Sequence, residues 1–294
     1  FGLIAQRNGN RSREIVKKSI AGLRSMTHRG AIGSDGKTGD GCGFLFDLNH
    51  EYFQTCIKNE QGIKIPDFYA IAQIFHNKKI EKFLPKIKKV LENQQLDFLT
   101  FRRVPINSKM LGKIAQSSLP NISQLFISAN HKEVNNQEFE ASLYEARKII
   151  EEIYVNEEEL YISSMSSHTI IYKGLMLPRA IDRFYLDLAS PSFEAKICLF
   201  HQRFSTNTLP KWHLAQPFRL LAHNGEINAI RGNRNWVKAR QSKFRTPLLS
   251  KIRDFKLLVN ESGSDSSALD NMIELLIKGG ADPFRALRMV LPPA

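Results

Sequence analysis

Cysteine is scarce in this sequence, and the spacing of the few cysteines excludes two common kinds of stabilisation. The 294 residues contain three of them, Cys42, Cys56 and Cys198. They are an odd number, lie far apart and form no Cys-x-x-Cys pair, so neither a disulfide framework nor a zinc site is indicated. We therefore expect a protein of a reducing compartment, with no metal site in this chain.

Long apolar runs are also missing. No stretch approaches the ~20 consecutive apolar residues that a helix needs to span a bilayer. Residues 1–13 lack the basic segment and long apolar stretch of a secretory signal. The hydrophobic share of 42% is nevertheless ordinary for a protein with a sizeable core. We expect a soluble globular protein with no membrane partner.

Acidic residues are outnumbered by basic ones, 29 against 42, which gives a formal net charge of +13. Such an excess would suit a polyanion, but the lysines are scattered over amphipathic segments and not collected in a tail. None of the established nucleic-acid-binding signatures is found. We predict a solvated basic surface and no nucleic-acid partner. The alternative, a nucleic-acid-binding surface, would appear as binding that weakens steeply with salt.

The order of apolar residues predicts strands in several pairs with helices between and after them. Residues 1–5 are predicted as a buried strand, and Ser12 as the cap of the following helix. The segment 30–43 holds six glycines, which predicts a loop. A helical pattern spans 80–91, where Pro85 predicts a kink or two short helices. Further strands are predicted at 44–46, 69–75, 98–104, 122–128 and 196–200.

The second half of the chain contains the clearest helical pattern. Residues 139–153 carry an apolar stripe, and the charged residues between its members predict a solvent-exposed face. Residues 160–165 and 168–172 resemble a hairpin. Ser264 is predicted to cap a last helix that ends at Gly279 and Gly280. This pattern favours an α+β protein in which sheets pack on each other under covering helices. The predicted charged face consists of Glu145, Arg147, Lys148, Glu151 and Glu152.

Several polar residue choices would suit the binding of an amino acid. An α-carboxylate is bound well by a guanidinium, an α-ammonium by a carboxylate, and an attacked amide by donors at the developing oxyanion. Arg203, Asp265 and the pair Asn224-Gly225 can supply these three functions. Each has an ordinary alternative: a salt bridge for Arg203, a helix cap for Asp265 and a tight turn for Asn224-Gly225.

Five stretches occur in one order along nearly the whole chain, and together they resemble the amino-terminal domain of the glutamate synthase large chains. Other glutamine amidotransferases share the chemical roles of these motifs but not their amino-acid sequences. The stretches are 26–31 (Met-Thr-His-Arg-Gly-Ala), 35–41 (Asp-Gly-Lys-Thr-Gly-Asp-Gly), 200–208 (Phe-His-Gln-Arg-Phe-Ser-Thr-Asn-Thr), 222–228 (Ala-His-Asn-Gly-Glu-Ile-Asn) and 260–266 (Asn-Glu-Ser-Gly-Ser-Asp-Ser).

The resemblance implies that residues 1–294 form one glutamine amidotransferase domain of type 2. Its fold would be the four-layer α/β/β/α sandwich of the N-terminal-nucleophile hydrolases. Arg203 would bind the α-carboxylate of L-glutamine, Asp265 its α-ammonium, and Asn224 with the Gly225 amide would form the oxyanion hole. The remaining implied pocket residues are Thr206 and Asn207, which would line the pocket, and Arg29, which would support the nucleophile.

Members of this family begin, after processing, with a cysteine whose own α-amino group moves the proton. The start of this chain corresponds to the family's third residue, so we expect a Cys-Gly pair ahead of Phe1. Three explanations are weighed: leading residues missing from the chain, a trimmed sequence, or a lineage that lost the activity and kept a silent glutamine-binding module. The internal cysteines cannot substitute, because none has a free α-amine. Cys42 is instead predicted to be a small buried filler, and His28 and His223 to be structural.

Beyond this domain, the resemblance implies a longer polypeptide in which ammonia passes to 2-oxoglutarate. Flavin mononucleotide (FMN) and an iron–sulfur cluster would be bound by the rest of that polypeptide, and no cofactor by this domain. The electron donor would be a small FAD/NADPH subunit or ferredoxin. The compartment would be the cytoplasm, or the plastid stroma in a eukaryote.

Overall fold

A computed structural model describes residues 1–130, 135–203, 210–256, 258–261 and 263–291. Within them the chain forms strands β1 to β8 and helices α1 to α10, joined by loops and short 3-10 turns. The strands are Gly2–Ala5, Cys42–Asp47, Ala70–His76, Leu96–Arg103, Asn121–Ala129, Leu160–Ser166, Thr169–Gly174 and Ile197–Gln202. The helices are Arg13–Ser25, His50–Gln61, Leu84–Asn93, Lys113–Ser117, Asn136–Ile153, Ile181–Phe184, Leu186–Ala189, Ile230–Arg240, Asp265–Lys278 and Pro283–Val290.

The strands form two four-stranded sheets, with the orders β1-β8-β2-β7 and β4-β5-β3-β6. All of the pairs between these strands are antiparallel. The prediction of a hairpin at 160–172 is wrong, because β6 pairs with β3 while β7 pairs with β2 in the other sheet. The short connection between β6 and β7 therefore crosses from one sheet to the other.

The two sheets pack face to face, and helices cover their outer faces. Along β3, Ala70, Ala72 and Ile74 belong to the core formed with α3 and α5. The alternate residue Gln73 points the other way, and its Nε2 donates to the carbonyl oxygen of Ile171 in β7 at 2.5 Å. Helix α1 packs on β1 and β8 of the first sheet. The predicted four-layer α/β/β/α sandwich is confirmed.

Strand β1 lies where it was predicted, but its predicted burial is wrong. It is an edge strand that pairs only with β8 among the described strands. Alternate residues therefore face solvent, and Leu3 is 61% exposed. Ser12 precedes α1 as predicted but its side chain makes no capping hydrogen bond. Apolar sequence alone does not distinguish an edge strand from a central one.

The proline of the 80–91 segment acts as predicted. A 3-10 turn at Ile80–Lys82 precedes α3, and Pro85 occupies the first turn of that helix. A proline is tolerated there because the first backbone N–H groups of a helix have no intrahelical acceptor. The segment is thus two short helices.

The predicted exposed face of α5 is wrong. Glu145, Arg147 and Lys148 are buried, whereas Ile153 of the apolar stripe is 41% exposed. The reason is a third hydrophobic cluster, in which segments after residue 248 pack against α5 at Ala141 and Tyr144. The helix is therefore covered on two sides, by the second sheet and by the carboxyl-terminal part of the chain.

The described residues contain neither a membrane-spanning helix nor a metal-binding cluster. No helix in them is long and apolar enough to cross a membrane. No group of three or more His, Cys, Asp or Glu side chains in them is arranged to hold a metal ion.

Candidate active site at the end of strand β8

The carboxyl end of β8 brings Arg203 to the surface beside the glycine-rich loop. The strand ends at Gln202, and the Arg203 backbone N–H donates to the Gly41 carbonyl at 3.1 Å. Arg203 adopts a φ of +105°, which is rare for a residue with a side chain. Among the described residues its guanidinium has no carboxylate partner, so the alternative of a structural salt bridge finds no support there. Strained backbone of this kind is concentrated at functional sites.

His201 holds the side chain of Asn224. Its Nε2 makes a short contact with Oδ1 of the Asn224 amide. Burial lowers the pKa of His201 to about 4, so the ring is neutral at physiological pH. An Nε2–H that donates to the amide oxygen leaves the Asn224 Nδ2 hydrogens pointing elsewhere. The Asn224 side chain, which is exposed, is therefore oriented as a hydrogen-bond donor.

Asp265 connects the loop after Asn224 to the start of α9. Ser264 caps this helix as predicted, because its Oγ accepts from the Ser267 backbone N–H at 3.1 Å. The carboxylate of Asp265 accepts from the backbone N–H of Ser266 at 2.6 Å and from that of Ile227 at 2.8 Å. The 224–227 loop and the first turn of α9 are thus held together by one half-buried carboxylate.

Gly225 lies directly over the ring of its neighbour in the same loop. A Cβ at this position would come 2.6 Å from His223 Nε2, so a larger residue would displace the ring. His223 itself contacts Ser266 Oγ through Nδ1 at 3.1 Å, which ties the loop to α9 a second time. These contacts suit the structural role predicted for His223.

The backbone at Phe1 reaches the same place. In the β1–β8 register Gly2 is opposite Phe200, so one further step brings Phe1 level with His201. The positive charge of Arg29 is close enough to act on the backbone nitrogen of Phe1. Arg29, on the exposed 3-10 turn Thr27–Arg29, thus lies close to the start of β1.

The glycine-rich loop packs closely over the end of β8. A Cβ on Gly30 would come 1.9 Å from Gln202 Nε2 and 2.8 Å from Asp40 Oδ1. No residue with a side chain fits there without moving that buried glutamine. The predicted loop is confirmed through Gly41, and β2 starts at Cys42.

Four of the predicted site residues are thus placed near the end of β8. Arg203 directly follows this strand, and Arg29 is near Phe1. Asn224 is held by His201, and Asp265 is hydrogen-bonded to the loop after Asn224. Thr206 and Asn207 lie outside the described residues. His201 was not predicted as a site residue. Its signal was a histidine at the end of an apolar strand, two residues before Arg203.

None of the three cysteines resembles a reactive thiol. Cys42 is fully buried, and its Sγ lies 3.2 Å from the Met176 carbonyl oxygen, which fits the predicted filler role. Burial raises the pKa of the Cys42, Cys56 and Cys198 thiols above the ordinary range. A thiol is nucleophilic as the thiolate, so these cysteines are poorly suited to attack an amide.

The sandwich fold and this cluster agree with a comparison to protein families. The family model of the class-II glutamine amidotransferases matches residues 1–294, and the chain belongs to that family.

Among curated proteins, the similar relatives are glutamate synthases. The NADPH glutamate synthase large chain of Bacillus subtilis is 39% identical over 99% of this chain and 20% of the relative. The ferredoxin-dependent glutamate synthase 1 of Arabidopsis thaliana is 35% identical over 100% of this chain and 18% of the relative. The NADH glutamate synthase of Saccharomyces cerevisiae is 38% identical over 100% of this chain and 14% of the relative. The chain spans a fifth or less of the length of these proteins.

Proposed function

We propose that this chain is the glutaminase domain of a glutamate synthase, which hydrolyses L-glutamine to glutamate and ammonia. The observation that supports this most is the convergence of three elements at the end of β8: the start of β1, the Asn224 amide oriented by His201, and Asp265 at the start of α9. These supply, in one place, an approach for a nucleophile, an oxyanion donor and a carboxylate.

In this proposal Arg203 binds the α-carboxylate of glutamine through two parallel hydrogen bonds, and Asp265 accepts from the α-ammonium. Asn224 Nδ2 and the Gly225 backbone N–H donate to the side-chain carbonyl oxygen as it gains negative charge. Arg29 supports the backbone at the nucleophile. Thr206 and Asn207 complete the pocket wall.

The nucleophile in this proposal is a cysteine two positions ahead of Phe1. Continuing the β1–β8 register by two residues carries the backbone from the level of His201 to that of Arg203. The thiolate attacks the glutamine amide carbon, and its own α-amino group carries the thiol proton to the leaving ammonia. Water then hydrolyses the thioester and releases glutamate.

The proposal is tested by a chain that begins Cys-Gly-Phe1 after removal of the initiator methionine. We expect it to release ammonia and glutamate from glutamine in a coupled assay. The matched control begins Ser-Gly-Phe1 and should bind glutamine without turnover, because a hydroxyl is a weaker nucleophile than a thiolate. A folded Cys-Gly protein that binds glutamine but releases no ammonia would contradict this mechanism and favour the silent binding module.

Arg203→Ala tests the assignment of the α-carboxylate site. We expect glutamine affinity to fall by about 10 to 100-fold or more, because a charge-assisted hydrogen bond contributes about 1.5 to 3 kcal/mol. Isothermal titration on the Ser-Gly protein measures this without turnover. The control is Arg7→Ala. Arg7 follows the other end of β1, away from the residues at the end of β8, and its loss should leave glutamine affinity unchanged. Equal affinity in a folded Arg203→Ala protein would remove Arg203 from the site.

The wider assembly is part of the same proposal. In a longer polypeptide the ammonia would be consumed with 2-oxoglutarate, and FMN and an iron–sulfur cluster would be held outside residues 1–294. The electron donor would be a small FAD/NADPH subunit or ferredoxin; the relatives' names include NADPH, NADH and ferredoxin. A cytoplasmic or plastid location is compatible with bacterial and chloroplastic relatives.

A further inference from the structure

The side chain of Gln216 holds the backbone of the residue that precedes Asn224. Its Oε1 accepts from the His223 backbone N–H at 2.8 Å, and its Nε2 donates to the His223 carbonyl oxygen at 3.0 Å. Both ends of one side-chain amide are therefore used on one residue. Because a backbone N–H can only donate and a carbonyl oxygen can only accept, these partners also define which end of the Gln216 amide is the oxygen.

This pair of hydrogen bonds fixes a peptide plane of the proposed oxyanion hole. The His223 carbonyl oxygen and the Asn224 backbone nitrogen belong to the same planar peptide unit. A donor held on that oxygen therefore limits the rotation of the plane from which the Asn224 side chain departs. Without this donor, rotation about the bonds on either side of the plane would carry the Asn224 amide out of line with His201.

Gln216 is itself held in place by the first sheet. It is 3% exposed, and its carbonyl oxygen packs against β2, since a Cβ on Gly43 would come 2.7 Å from it. Gly43 pairs with His201 between β2 and β8, so Gln216 and His201 lie at the same level of the sheet. Three residues before Gln216, the His213 carbonyl oxygen accepts from the buried ammonium of Lys173 at 2.8 Å.

His201 and Gln216 hold different parts of the same loop. His201 contacts the side-chain oxygen of Asn224, whereas Gln216 holds the main chain one residue earlier. Neither contact uses the Nδ2 hydrogens of Asn224, which remain available to a substrate. A donor stabilises an oxyanion most when it is held in position before the charge develops, and this requires that both the backbone and the side chain are fixed.

We propose that Gln216 is a positioning residue of the oxyanion hole, which fixes the 223–224 peptide plane and so the direction of the Asn224 amide. This rests on the proposed glutaminase function. Gln216 is assigned no contact with the substrate and no proton transfer. Its effect on turnover is therefore limited to that of losing the Asn224 donor, about 100 to 1000-fold.

The first test is a double-mutant cycle in the Cys-Gly protein. Gln216→Met keeps a side chain of similar length and removes both hydrogen bonds. We expect turnover to fall by about 10-fold or more, with glutamine affinity in the Ser-Gly protein within a few-fold. In the Asn224→Ala background the same change should lower turnover by no more than about 3-fold, because the group that it positions is already absent. Losses that multiply fully, or full turnover in folded Gln216→Met, would overturn the proposal.

Gln216→Glu tests the donor separately and covers the case in which Gln216→Met fails to fold. An ionised glutamate can accept from the His223 N–H but cannot donate to the His223 carbonyl oxygen, whereas a protonated one can do both. Burial raises the pKa of a carboxyl. We therefore expect the turnover of Gln216→Glu, relative to that of the Cys-Gly protein with Gln216 in place, to rise by about 5-fold or more between about pH 8 and pH 6. A constant ratio would overturn the role of the Nε2 donor.

A measurement without turnover separates this proposal from the glutaminase function. The side-chain amide signal of Asn224 is identified in the nuclear magnetic resonance spectrum of the unaltered chain by its loss in Asn224→Ala. We expect this amide to be rigid, and its order parameter to fall below about 0.6 in Gln216→Met. The matched control is Gln61→Met. Gln61 also uses both ends of its amide, on Thr100 and Phe101, and its loss should change neither the Asn224 signal nor turnover.

The two proposals fail in different ways. A folded Cys-Gly protein without turnover would contradict the glutaminase function, and the Asn224 signal would still show whether Gln216 orients that amide. An Asn224 order parameter that is the same in Gln216→Met and in the unaltered chain would contradict the positioning role, whether or not the Cys-Gly protein is active.

Discussion

The orientation of a single side-chain amide determines what Asn224 can do. An asparagine amide carries an acceptor oxygen and two N–H donors, and only the donors can stabilise an oxyanion. The neutral His201 ring engages the oxygen through Nε2, so the nitrogen is left to face a substrate. His201 is therefore a positioning residue, which acts through Asn224 and needs no proton transfer of its own.

Asn224→Ala in the Cys-Gly protein should lower turnover by about 100 to 1000-fold, because an oxyanion donor stabilises the transition state more than the ground state. Glutamine affinity should stay within a few-fold. Turnover, affinity and thermal midpoint are measured on the same preparation. A folded variant with full turnover would sink the oxyanion assignment, and a loss confined to affinity would move Asn224 to ground-state binding.

At this scale the sequence predicts the kinds of residue but not their orientation. The motifs His-Gln-Arg and His-Asn-Gly-Glu identify Arg203 and Asn224, because few other protein families combine these residues in this order. The contact between His201 and Asn224 joins residues 23 positions apart. It depends on how the loop after Phe218 returns to the end of β8, which no local pattern encodes.

Helix α5 shows that a charged helix face can be buried when another element packs against it. Arg147 is 1% exposed, and its guanidinium donates to Glu151 at 2.7 Å and to Glu274 of α9 at 2.5 Å. The neighbouring Arg219 shares Glu151. The charged face thus forms an ionic network that joins α5 to α9.

Arg147→Met should destabilise the protein by about 3 to 5 kcal/mol, because it leaves the buried carboxylate of Glu274 without its ion-pair partner. The control is Lys18→Met, which breaks the exposed pair between Lys18 and Glu14 at 3.7 Å in α1 and should change stability by less than about 0.5 kcal/mol. The free energy of unfolding is measured by urea denaturation. Equal small effects for both variants would mean that the α5 charges are solvated.

Two predictions about whole elements, the exposed face of α5 and the hairpin of β6 and β7, are wrong for the same reason. Helical and strand periodicity report which residues are apolar, and they do not report which second element packs on the polar side. For α5 the missing element was the segment after residue 248, which covers the charged face. For β6 and β7 it was the partner strand, because adjacency along the chain favoured a hairpin while β3 and β2 took the pairing. Elements with local signals, such as the α3 start at Pro85 and the Ser264 cap, were predicted correctly.

Across the whole molecule, burial of neutral histidines makes stability depend on pH. Burial lowers the pKa of both His201 and His213 to about 4 from the ordinary value of 6.5. The pKa values of His50 and His76 are lowered in the same direction by burial. Burial acts oppositely on the carboxyl of Asp270, whose pKa is raised to about 6 from 3.8.

The signs of these effects follow from which state binds the proton first. As pH falls through 6.5 the unfolded chain protonates His201 and His213, while the folded protein keeps them neutral to about pH 4. Stability is therefore lost across that window. Asp270 takes up a proton in the folded protein near pH 6 but in the unfolded chain only near 3.8, so it adds stability as pH falls.

His201, His213 and Asp270 each contribute on the order of 3 kcal/mol. The raised pKa values of Glu145 and Glu157 act in the same direction as that of Asp270. The lowered pKa values of His50, His76, Glu140 and Glu151 add to the loss, so the groups that lose stability on acidification outnumber those that gain it.

We therefore expect the free energy of unfolding to fall by about 3 kcal/mol or more between about pH 7 and pH 4. Urea denaturation at a series of pH values measures this. In His213→Gln the fall should be smaller by on the order of 3 kcal/mol, because one titrating group is removed, while the Lys173 hydrogen bond to the residue 213 carbonyl is retained. Exposed His28→Gln is the control and should reproduce the original curve. An unchanged curve for His213→Gln would mean that His213 is protonated in the folded protein, with its Nε2 paired to Glu157 at 3.3 Å as an ion pair and not as a neutral hydrogen bond.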